Sequence, residues 1–533
     1  MNRYQQTATG APRTAAGWQL TPLTPPSALF GANGMKFGPD GRLYVVQAFG
    51  SQISALDPVS GACQTISPVG GAIVAPDDLA FDSRGVMYIT EVMNERVAAR
   101  TPDGQVRVLT GDVPAANGIT TYQDRIFMDE CRPGGRLFEL YPDGRAPRVI
   151  AEDLPLPNAL SVGPDGQLYF PQIAAGEIWR VALEGGRPER FLAGLGIPTA
   201  VKFDRKGQLV TTQAGNGEIL RVDIQSGAKT PVTKVRPGID NFAVSDDNRI
   251  FISHFTDGGV AEILNDGKER VIVPAGFLGP WGLAVANDGA LYAADGGSLV
   301  TIAADGKPRR LAMLFDEGFP HFIRGLTTRR AGGFYVTNTA GNVASYNPAE
   351  RASQMLAADL NELFGLAEAP DGDVIVAEGG AGRLLKINAK GEVSVLARGL
   401  ARPMDVAIAG DGSCYVSESG KGRVSQVNGG VSTVLDGLKT PQGLAVVGDQ
   451  LFVLDSGSKE LLALSLKTKQ KQTVAANLPI GAQPGVTPKP LLGIPGLIPG
   501  PLSPFAGIAV GGDGTIYIAG DGEGSILALK RVA

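Results

Sequence analysis

The chain has 533 residues, with 48 Lys and Arg against 53 Asp and Glu and a formal net charge of −5. No basic run stands out, which argues against a nucleic-acid partner, and no apolar run is long enough to span a bilayer. Its three cysteines, Cys63, Cys131 and Cys414, are too far apart for a CxxC zinc pattern or a disulfide framework. The N-terminus lacks the apolar segment of a secretion signal. We therefore expect a cytoplasmic protein, unless a leader has been removed, without a nucleic-acid or membrane partner.

A repeat of about 40 residues runs along the whole chain. Each copy has a short apolar strand, an Asp-Gly or similar turn and a second strand of the Leu-Tyr-Val type, as in GMKFGPDGRLYVVQ and GLAVANDGALYAAD. The copies begin at Gly34, Asp78, Gly118, Ala159, Ala200, Asn241, Gly282, Gly325, Gly365, Asp405, Gly443 and Gly507. This period is typical of propeller blades, and four to eight blades usually close one propeller. The predicted fold is therefore all-β, a tandem pair of six-bladed β-propellers with twelve four-stranded blades.

The domain boundaries depend on how each ring closes, because an open ring leaves unpaired strand edges. In the simplest closure, residues 18–23 complete blade six and Glu269–Val273 completes blade twelve. In the alternative, residues 18–23 cross to blade twelve and the boundary lies near Gly276. The simplest closure predicts an N-terminal tail at 1–16, a first propeller at 17–267 and a second at 268–533.

A Pro- and Gly-rich insertion at 479–504 separates the last two blades. It is interpreted either as a surface loop that packs its own apolar residues or as a lid or interdomain clasp. We prefer the surface loop, because most long loops have no identified role.

Polar residues stand at every position expected at one mouth of the first propeller. The residue before each inner strand and the residue that ends the second strand should lie at the same face. The inner ring comprises Asn33, Asp77, Asn117, Asn158, Thr199 and Asp240, and the outer ring comprises Gln47, Glu91, Glu130, Gln172, Gln213 and His254. Twelve such positions around one channel predict a functional site, and Ca²⁺ prefers carboxylate and amide oxygens.

The second propeller provides an internal comparison. Asn or Asp before a strand can simply satisfy the backbone groups of a turn. The inner positions of the second propeller are Trp281, Arg324, Phe364, Met404, Gln442 and Ala506. The turn itself therefore does not require Asn or Asp. The outer positions of the second propeller are interpreted as residues that brace turns, and they are Asp295, Asn338, Glu378, Glu418, Asp455 and Gly520. The outer ring of the first propeller, rich in Gln and containing one His, differs from this mainly acidic pattern.

Three repeats of the first propeller share a distinctive pattern, ANGI (116–119), PNALSVGPDGQLYF (157–170) and IDNFAVSDDNRIF (239–251). They resemble the six-bladed calcium hydrolases, which include the senescence-marker/gluconolactonase family, paraoxonase and diisopropylfluorophosphatase. The resemblance covers the first propeller in register and the second in fold only. In that group one Glu, two Asn and an Asp or an Asp-Asn pair hold an axial divalent metal.

The resemblance implies a ligand set by position. Asn117 and Asn158 match the two Asn, and Asp240 with Asn241 matches the pair. Asn33 stands where the family has its Glu, so Asp77 or Glu91 would supply the second charge. The implied metal is Ca²⁺, with Mg²⁺ as an alternative.

Other repeats resemble a different propeller enzyme. The strand ends YITE (88–91), YFPQ (169–172) and VTTQ (210–213) are similar to those of virginiamycin B lyase. That enzyme opens a cyclic ester by elimination, with Mg²⁺ and a His base. NHL-type propellers share the repeat and are often binding modules.

The leading hypothesis is a metal-dependent hydrolase of an ester or lactone, acting on a small-molecule substrate. The metal would polarise the carbonyl, and His254, Glu91 or Glu130 would activate water. His254 can equally be a hydrogen-bonded strand-end residue. The substrate-binding candidates are Gln47, Gln172, Gln213, Asn241 and Thr199. The alternatives are a metal-dependent lyase or isomerase and a non-enzymatic, NHL-like binding module.

The mouth of the second propeller has a different composition. Trp281, Phe364 and Met404, with Arg324 and the nearby His321, could hold an anionic or aromatic ligand. The alternative is an axis plugged by packed apolar residues, and we prefer the plug because apolar ring residues are more often core than site.

Overall fold

The structure, a computed structural model, describes residues 3–4, 10–303 and 305–532. Within these ranges the regular structure is antiparallel β-strand and a single 3₁₀ turn, Ala48–Gly50, and there is no α-helix. Consequently, the described residues contain no helix that is long and apolar enough to cross a membrane. The strands form twelve four-stranded sheets, one of which gains a fifth strand, Arg13–Thr14, and one two-stranded sheet, Gly493–Ile494 with Ile498–Pro499.

The first six sheets each use four consecutive strands. From the inner to the outer strand they are Met35–Phe37, Leu43–Gln47, Gln52–Leu56, Cys63–Ser67; Pro76–Phe81, Met87–Glu91, Arg96–Arg100, Val106–Thr110; Ala116–Tyr122, Arg125–Glu130, Gly135–Leu140, Arg148–Leu154; Ser161–Val162, Gln167–Gln172, Glu177–Ala182, Glu189–Leu192; Pro198–Phe203, Leu209–Gln213, Glu218–Val222, Lys229–Lys234; and Ile239–Val244, Ile250–His254, Val260–Ile263, Glu269–Val273.

The other six sheets follow the same pattern, except that the last one takes its outer strand from the N-terminus. They are Leu283–Val285, Leu291–Asp295, Ser298–Ile302, Pro308–Met313; Ile323–Thr328, Phe334–Asn338, Val343–Asn347, Ala352–Ala357; Leu363–Glu368, Val374–Glu378, Arg383–Ile387, Val393–Arg398; Pro403–Ile408, Cys414–Glu418, Arg423–Val427, Val431–Leu435; Pro441–Val447, Gln450–Asp455, Glu460–Ser465, Lys471–Ala476; and Ile508–Val510, Ile516–Gly520, Ser525–Arg531, Trp18–Pro22.

The inner strands of each set of six form a closed ring. Each inner strand contacts the inner strand of the next blade, and the sixth, Ile239–Val244, contacts the first, Met35–Phe37. In the second set Ile508–Val510 contacts Leu283–Val285 in the same way. The prediction of two six-bladed propellers in an all-β chain is confirmed.

The expected closure of the two rings is wrong. Trp18–Pro22 pairs with Ser525–Arg531 of blade twelve, with Trp18 opposite Arg531. Glu269–Val273 pairs with Val260–Ile263 and completes blade six. A five-residue turn joins those two strands, so the hairpin forms with little loss of loop entropy. The alternative closure, with residues 18–23 in blade twelve, is the one observed.

The chain divides into two compact units that reflect this pairing. The first consists of residues 28–275 and 488–499, and the second contains residues 276–487 and 500–532 together with the N-terminal segment up to Ser27. The division falls at 275/276 rather than at 267.

The hydrophobic core is distributed between neighbouring blades. Val46 of blade one and Ile89 of blade two belong to one buried cluster, and Phe127 of blade three packs in another with Phe170 of blade four. Each blade therefore buries both faces of its sheet, which explains why its strands are continuous apolar runs.

Candidate functional site

The inner ring of the first propeller lies where the inner strands begin and are bulged. In blade two the register slips between Pro76 and Leu79, so that Asp77 and Asp78 together oppose Thr90. Comparable slips occur between Ala116 and Ile119, between Pro198 and Ala200, and between Ile239 and Phe242. Bulges of this kind redirect a side chain at the end of a strand. Five of the six ring residues are between 4% and 8% exposed, and Asp240 is partly buried.

Hydroxyl groups of the second strands hold the bulges in place. The Ser253 hydroxyl accepts the backbone N–H of Asn241 at 3.2 Å and donates to the carbonyl oxygen of Asn33, in the next blade, at 2.7 Å. Thr90 donates in the same way to the carbonyl of Asn117. Each hydroxyl thus links the ring position of one blade to that of the next.

Both carboxyl groups of the inner ring have raised pKa values, and the charge of Asp240 opposes the ionisation of Asp77. Burial raises the pKa of Asp77 well above its usual range, and the negative charges of Asp240, Asp78 and Asp129 raise it further. Burial, followed by Asp78, also raises the pKa of Asp240 to about 7, although a hydrogen bond with the Asn33 side chain lowers it. The sequence-predicted residues Asp77, Asp240 and Asn33 therefore do share one mouth.

A lysine crosses the channel beside these carboxylates. Lys202 of blade five donates from Nζ to the carbonyl oxygen of Met35 in blade one, at 2.9 Å. Its Nζ also lies 5.6 Å from the centroid of the Phe242 ring. Burial lowers the pKa of Lys202 to about 8, while Asp78 and Asp240 favour its charged form. Lys202 therefore supplies the positive charge that partly balances the acidic residues.

The inner ring fits a divalent cation that prefers oxygen ligands. A cation would relieve the repulsion between Asp77 and Asp240. Asn117 Oδ1 is buried and has no hydrogen-bond partner in the described part of the chain. Oδ1 of Asn158 and of Asn33 each accepts one nearby backbone N–H, at 2.7 and 3.1 Å, and an amide oxygen can accept a second interaction. Among the described residues no group of three or more His, Cys, Asp or Glu is arranged to hold a metal, so amide oxygens would have to join a carboxylate as ligands.

The outer ring braces loops in both propellers. Gln47, Gln172 and Gln213 each accept, through Oε1, a backbone N–H 16 or 17 residues earlier in the chain, at 2.9, 2.8 and 2.5 Å. In the second propeller Glu378 and Glu418 accept an N–H 17 residues earlier, at 2.9 and 2.8 Å. The expected contrast between the two outer rings is therefore absent. Substrate binding by the three Gln stays a prediction, and this bonding favours a structural role.

The two outer-ring glutamates are held by arginines. Glu91 Oε2 lies 2.9 Å from Nε of Arg96. Glu130 is bonded by Nη2 of Arg132 at 3.1 Å and by both Nε and Nη2 of Arg136, at 2.9 and 2.5 Å. Both carboxylates are therefore engaged in ion pairs. The role of either glutamate as a base stays a prediction.

The histidine of the outer ring is fully buried. His254 has no exposed surface, and its backbone N–H donates to the carbonyl of Gly259 at 3.0 Å. Burial alone would raise the pKa of nearby Asp257, but His254 and Arg236 outweigh it and the pKa is lowered. His254 thus interacts electrostatically with Asp257, and its role as a base stays a prediction.

Asn241 and Thr199, the remaining substrate-binding candidates, make local bonds. Asn241 Oδ1 accepts the backbone N–H of Phe242 at 2.8 Å, and the Thr199 hydroxyl donates to the carbonyl of Ile239 at 3.3 Å. Both residues stabilise the start of an inner strand, and their contact with a substrate stays a prediction.

The mouth of the second propeller is filled by apolar side chains. Phe364, Met404 and Phe505 form a buried cluster, against which Trp281 packs. The ring centroids of Phe364 and Phe505 are 6.3 Å apart. This packing corresponds to the preferred interpretation, an axis plugged by core residues.

The arginine of that mouth is part of the plug. Arg324 is fully buried, and it donates to the carbonyl oxygens of Leu363 and Pro501, both at 2.6 Å. Its guanidinium carbon lies 4.7 Å from the centroid of the Phe364 ring. His321 is exposed and therefore lies outside this cluster.

Sequence reasoning missed several charged residues of the first channel, although the repeats contain the signal. Lys36 and Lys202 occupy the third position of their copies, where the other copies of the first propeller have Ala, Ser or Thr. Asp129 stands where Thr90 and Ser253 stand in their blades, and its Oδ1 accepts the N–H of the bulge at 3.2 Å. A position-by-position comparison of the six copies would have identified these exceptions.

Comparisons with known proteins find partial similarity to a lactonase. No protein-family model matches the sequence. A gluconolactonase from Zymomonas mobilis is 28% identical over 111 residues, which is 18% of this chain and 31% of that protein. The match therefore spans about a third of the relative's length.

Solved structures are similar at lower identity. A gluconolactonase from Xanthomonas campestris is 18% identical with a TM-score of 0.39, covering 46% of this chain and 93% of its own. A candidate glucose dehydrogenase from Thermus thermophilus is 16% identical with a TM-score of 0.36, covering 47% and 96%. These scores carry no argument about activity. The resemblance to paraoxonase and to virginiamycin B lyase stays a prediction.

Proposed function

We propose that the first propeller is a hydrolase of lactones or esters that acts at its axial mouth with a divalent cation, calcium in preference to magnesium. The observation that carries the proposal is the pairing of two largely buried carboxylates, Asp77 and Asp240, in a ring otherwise made of Asn and Thr. A purely structural ring would not place two repelling carboxylates at one mouth, because such a pair costs stability.

The inner-ring residues have distinct roles in this proposal. Asp240, Asn117 and Asn158 would hold the cation through their side-chain oxygens, and carboxylate and amide oxygens are the kind of ligand that Ca²⁺ prefers, with water completing its coordination of about six to eight oxygens. When bound, the cation polarises the carbonyl of the substrate and stabilises the charge that develops on its oxygen. Asp77 adds negative charge beside the cation and accepts, on a carboxylate oxygen, the proton of the attacking water.

The place of Asp77 in the inner ring supports its assignment as the base. Burial, Asp240 and the other nearby carboxylates raise its pKa, and a cation beside it would favour the ionised form, which is the form that accepts a proton. Glu91 and Glu130 are less suitable, since both carboxylates are already paired with arginines.

The local similarity to a gluconolactonase supports the reaction class. It reaches 28% identity over 111 residues, which is consistent with a lactone substrate. The fold alone carries no such information, because propellers host unrelated activities.

Turnover in H₂¹⁸O tests the reaction. Purified protein is incubated with calcium and a panel of five- and six-membered lactones and aryl esters. We expect one ¹⁸O atom in the acid product, and Asp77→Asn should lower kcat by about 10² to 10⁴, the usual contribution of a general base. Asp405→Asn, which alters a buried carboxylate of the second propeller, is the matched control and should retain activity.

Two outcomes would replace the proposal. An unsaturated product without label would establish a lyase. A dialysed protein that contains no divalent ion, and whose ligand binding is unaffected by chelators, would establish a binding module.

A further inference from the structure

The insertion between the last two blades contributes a hairpin to the first unit. Residues 488–499 belong to that unit, although the chain on either side belongs to the second. Gly493–Ile494 pairs antiparallel with Ile498–Pro499. This insertion hairpin, residues 493–499, has Leu497 in its turn.

The hairpin packs on loops at the mouth of the first propeller. Leu497 is partly buried against a cluster formed by Cys131, Leu156 and Ile173, with Ile197 at its edge. A Cβ added to Gly496 would lie only 2.7 Å from Cδ of Pro133. The turn therefore sits closely on the loops that follow and precede the strands of blades three to five.

This apolar cluster borders the inner ring. Cys131 directly follows the second strand of blade three, and Leu156 and Ile197 each lie two residues before an inner-ring residue. The backbone N–H of Cys131 donates to the carbonyl oxygen of Ala115, two residues before Asn117, at 2.9 Å. The cluster therefore lies on the loops that lead into the inner ring, at the same mouth as Asp77 and Asp240.

The two sides of the mouth thus differ in chemistry. The inner ring supplies carboxylate, amide and hydroxyl groups, whereas beside blades three to five the apolar side chains of Leu497 and Ile197 remain partly exposed. Hydroxyl groups placed against such a surface would lose hydrogen bonds to water. Methylene or aromatic groups would gain from leaving water there.

We propose that the insertion hairpin forms an apolar wall of this mouth and that the substrate is a lactone or ester with an alkyl or aryl substituent, not a polyhydroxylated sugar lactone. This inference rests on the proposed hydrolase function. Leu497 is the specificity-determining residue of the wall, because it lies in the turn of the hairpin and remains partly exposed where it packs on the loops of blades three to five. The lactone ring lies over Asp77 and Asp240, and the substituent lies along Leu497 and Ile197.

A homologous series of substrates tests the wall. The γ-lactones with no side chain, a propyl chain and a pentyl chain are compared with glucono-δ-lactone, using wild type, Leu497→Asn and Leu497→Ala. Leu492→Asn is the matched control, since Leu492 lies in the same insertion and is 62% exposed. We expect kcat/KM of wild type to rise about threefold to fourfold for each buried methylene. Leu497→Asn should lose about tenfold on the pentyl lactone and little on the unsubstituted one, and Leu492→Asn should behave as wild type.

A binding series separates failure of the wall from failure of the hydrolase. The corresponding γ-alkyl lactams resist hydrolysis, and their affinity is measured by calorimetry with wild type and Leu497→Asn. If affinity for the lactams rises with chain length in wild type but not in Leu497→Asn, the wall is supported. If, in addition, no lactone is turned over, only the hydrolase proposal is overturned. Turnover that is independent of chain length, or that is fastest with gluconolactone, overturns the wall and leaves the hydrolase in place.

Discussion

Asp240→Asn should separate metal binding from folding, because the two effects have opposite signs. Asp240 is one of two carboxylates in the inner ring of the first propeller, and burial and Asp78 raise its pKa from 3.8 to about 7. Its ionisation therefore costs the metal-free folded state up to about 4 kcal/mol above neutral pH. Asparagine keeps the shape of the side chain and removes that charge. At pH 8 without metal, we expect the melting temperature of Asp240→Asn to equal or exceed that of wild type.

Calcium should reverse this order. A ligand at a hundred times its Kd stabilises a protein by about 2.7 kcal/mol, which corresponds to a rise in Tm of about 5–10 °C for a domain of this size. Wild type should show such a rise on addition of calcium, and Asp240→Asn should show none, since it loses the charge that the amide ligands cannot replace.

Thermal unfolding by calorimetry, with and without calcium after chelator treatment, measures both effects. Asp405→Asn serves as the control: it also removes a buried carboxylate, but from the second propeller, and should keep the calcium response. An equal calcium-induced rise in Asp240→Asn and wild type would refute the assignment of Asp240 as a ligand. The absence of a rise in wild type with calcium or magnesium would refute the metal site.

Three further predictions concern the second propeller. Burial raises the pKa of Asp405 to about 7, so the stability that its proton contributes is complete below about pH 4 and is lost as pH rises through 7. The free energy of unfolding of wild type minus that of Asp405→Asn, measured with urea, should therefore decline over this range. A difference that stays constant with pH would contradict this prediction. Phe505→Ala should lower the free energy of unfolding by about 3–5 kcal/mol, because it leaves a cavity in the axial plug; a loss below about 1 kcal/mol would show that the axis is not packed. Deletion of residues 1–22 exposes the edge of Ser525–Arg531 and removes Trp18, whose ring lies 6.0 Å from that of Phe452. The Tm of the second unit should fall, and light scattering should rise as exposed strand edges associate. An unchanged Tm would argue against this closure.

The architecture could be predicted because each blade is a local structure. Its strands are joined by short turns, so the period of about 40 residues and the alternation of turn and apolar run specify each four-stranded sheet nearly independently. The inner-ring positions followed from the same period, and Asp77, Asp240 and Asn33 do meet at one mouth.

The closure could not be predicted in the same way. By its sequence, the strand at residues 18–23 can complete a blade in either ring, and nothing in WQLTPL specifies a partner about 500 residues away. In blade six a short hairpin pairs Val260–Ile263 with Glu269–Val273, so the strand edge there is already occupied. Trp18–Pro22 pairs with Ser525–Arg531 of blade twelve instead.

The sequence by itself determined the number of blades, the two rings and the polar composition of the first mouth, because these depend on contacts within one repeat or between neighbouring repeats. The tertiary structure decided what the polar residues do. Gln47 and Glu91 are used to brace loops, Lys202 reaches from blade five to blade one, and the hairpin with Leu497 arrives from an insertion more than 200 residues beyond the first ring. Such contacts join residues that are distant in the chain, and hydrogen bonding and burial become defined only when the ring has closed.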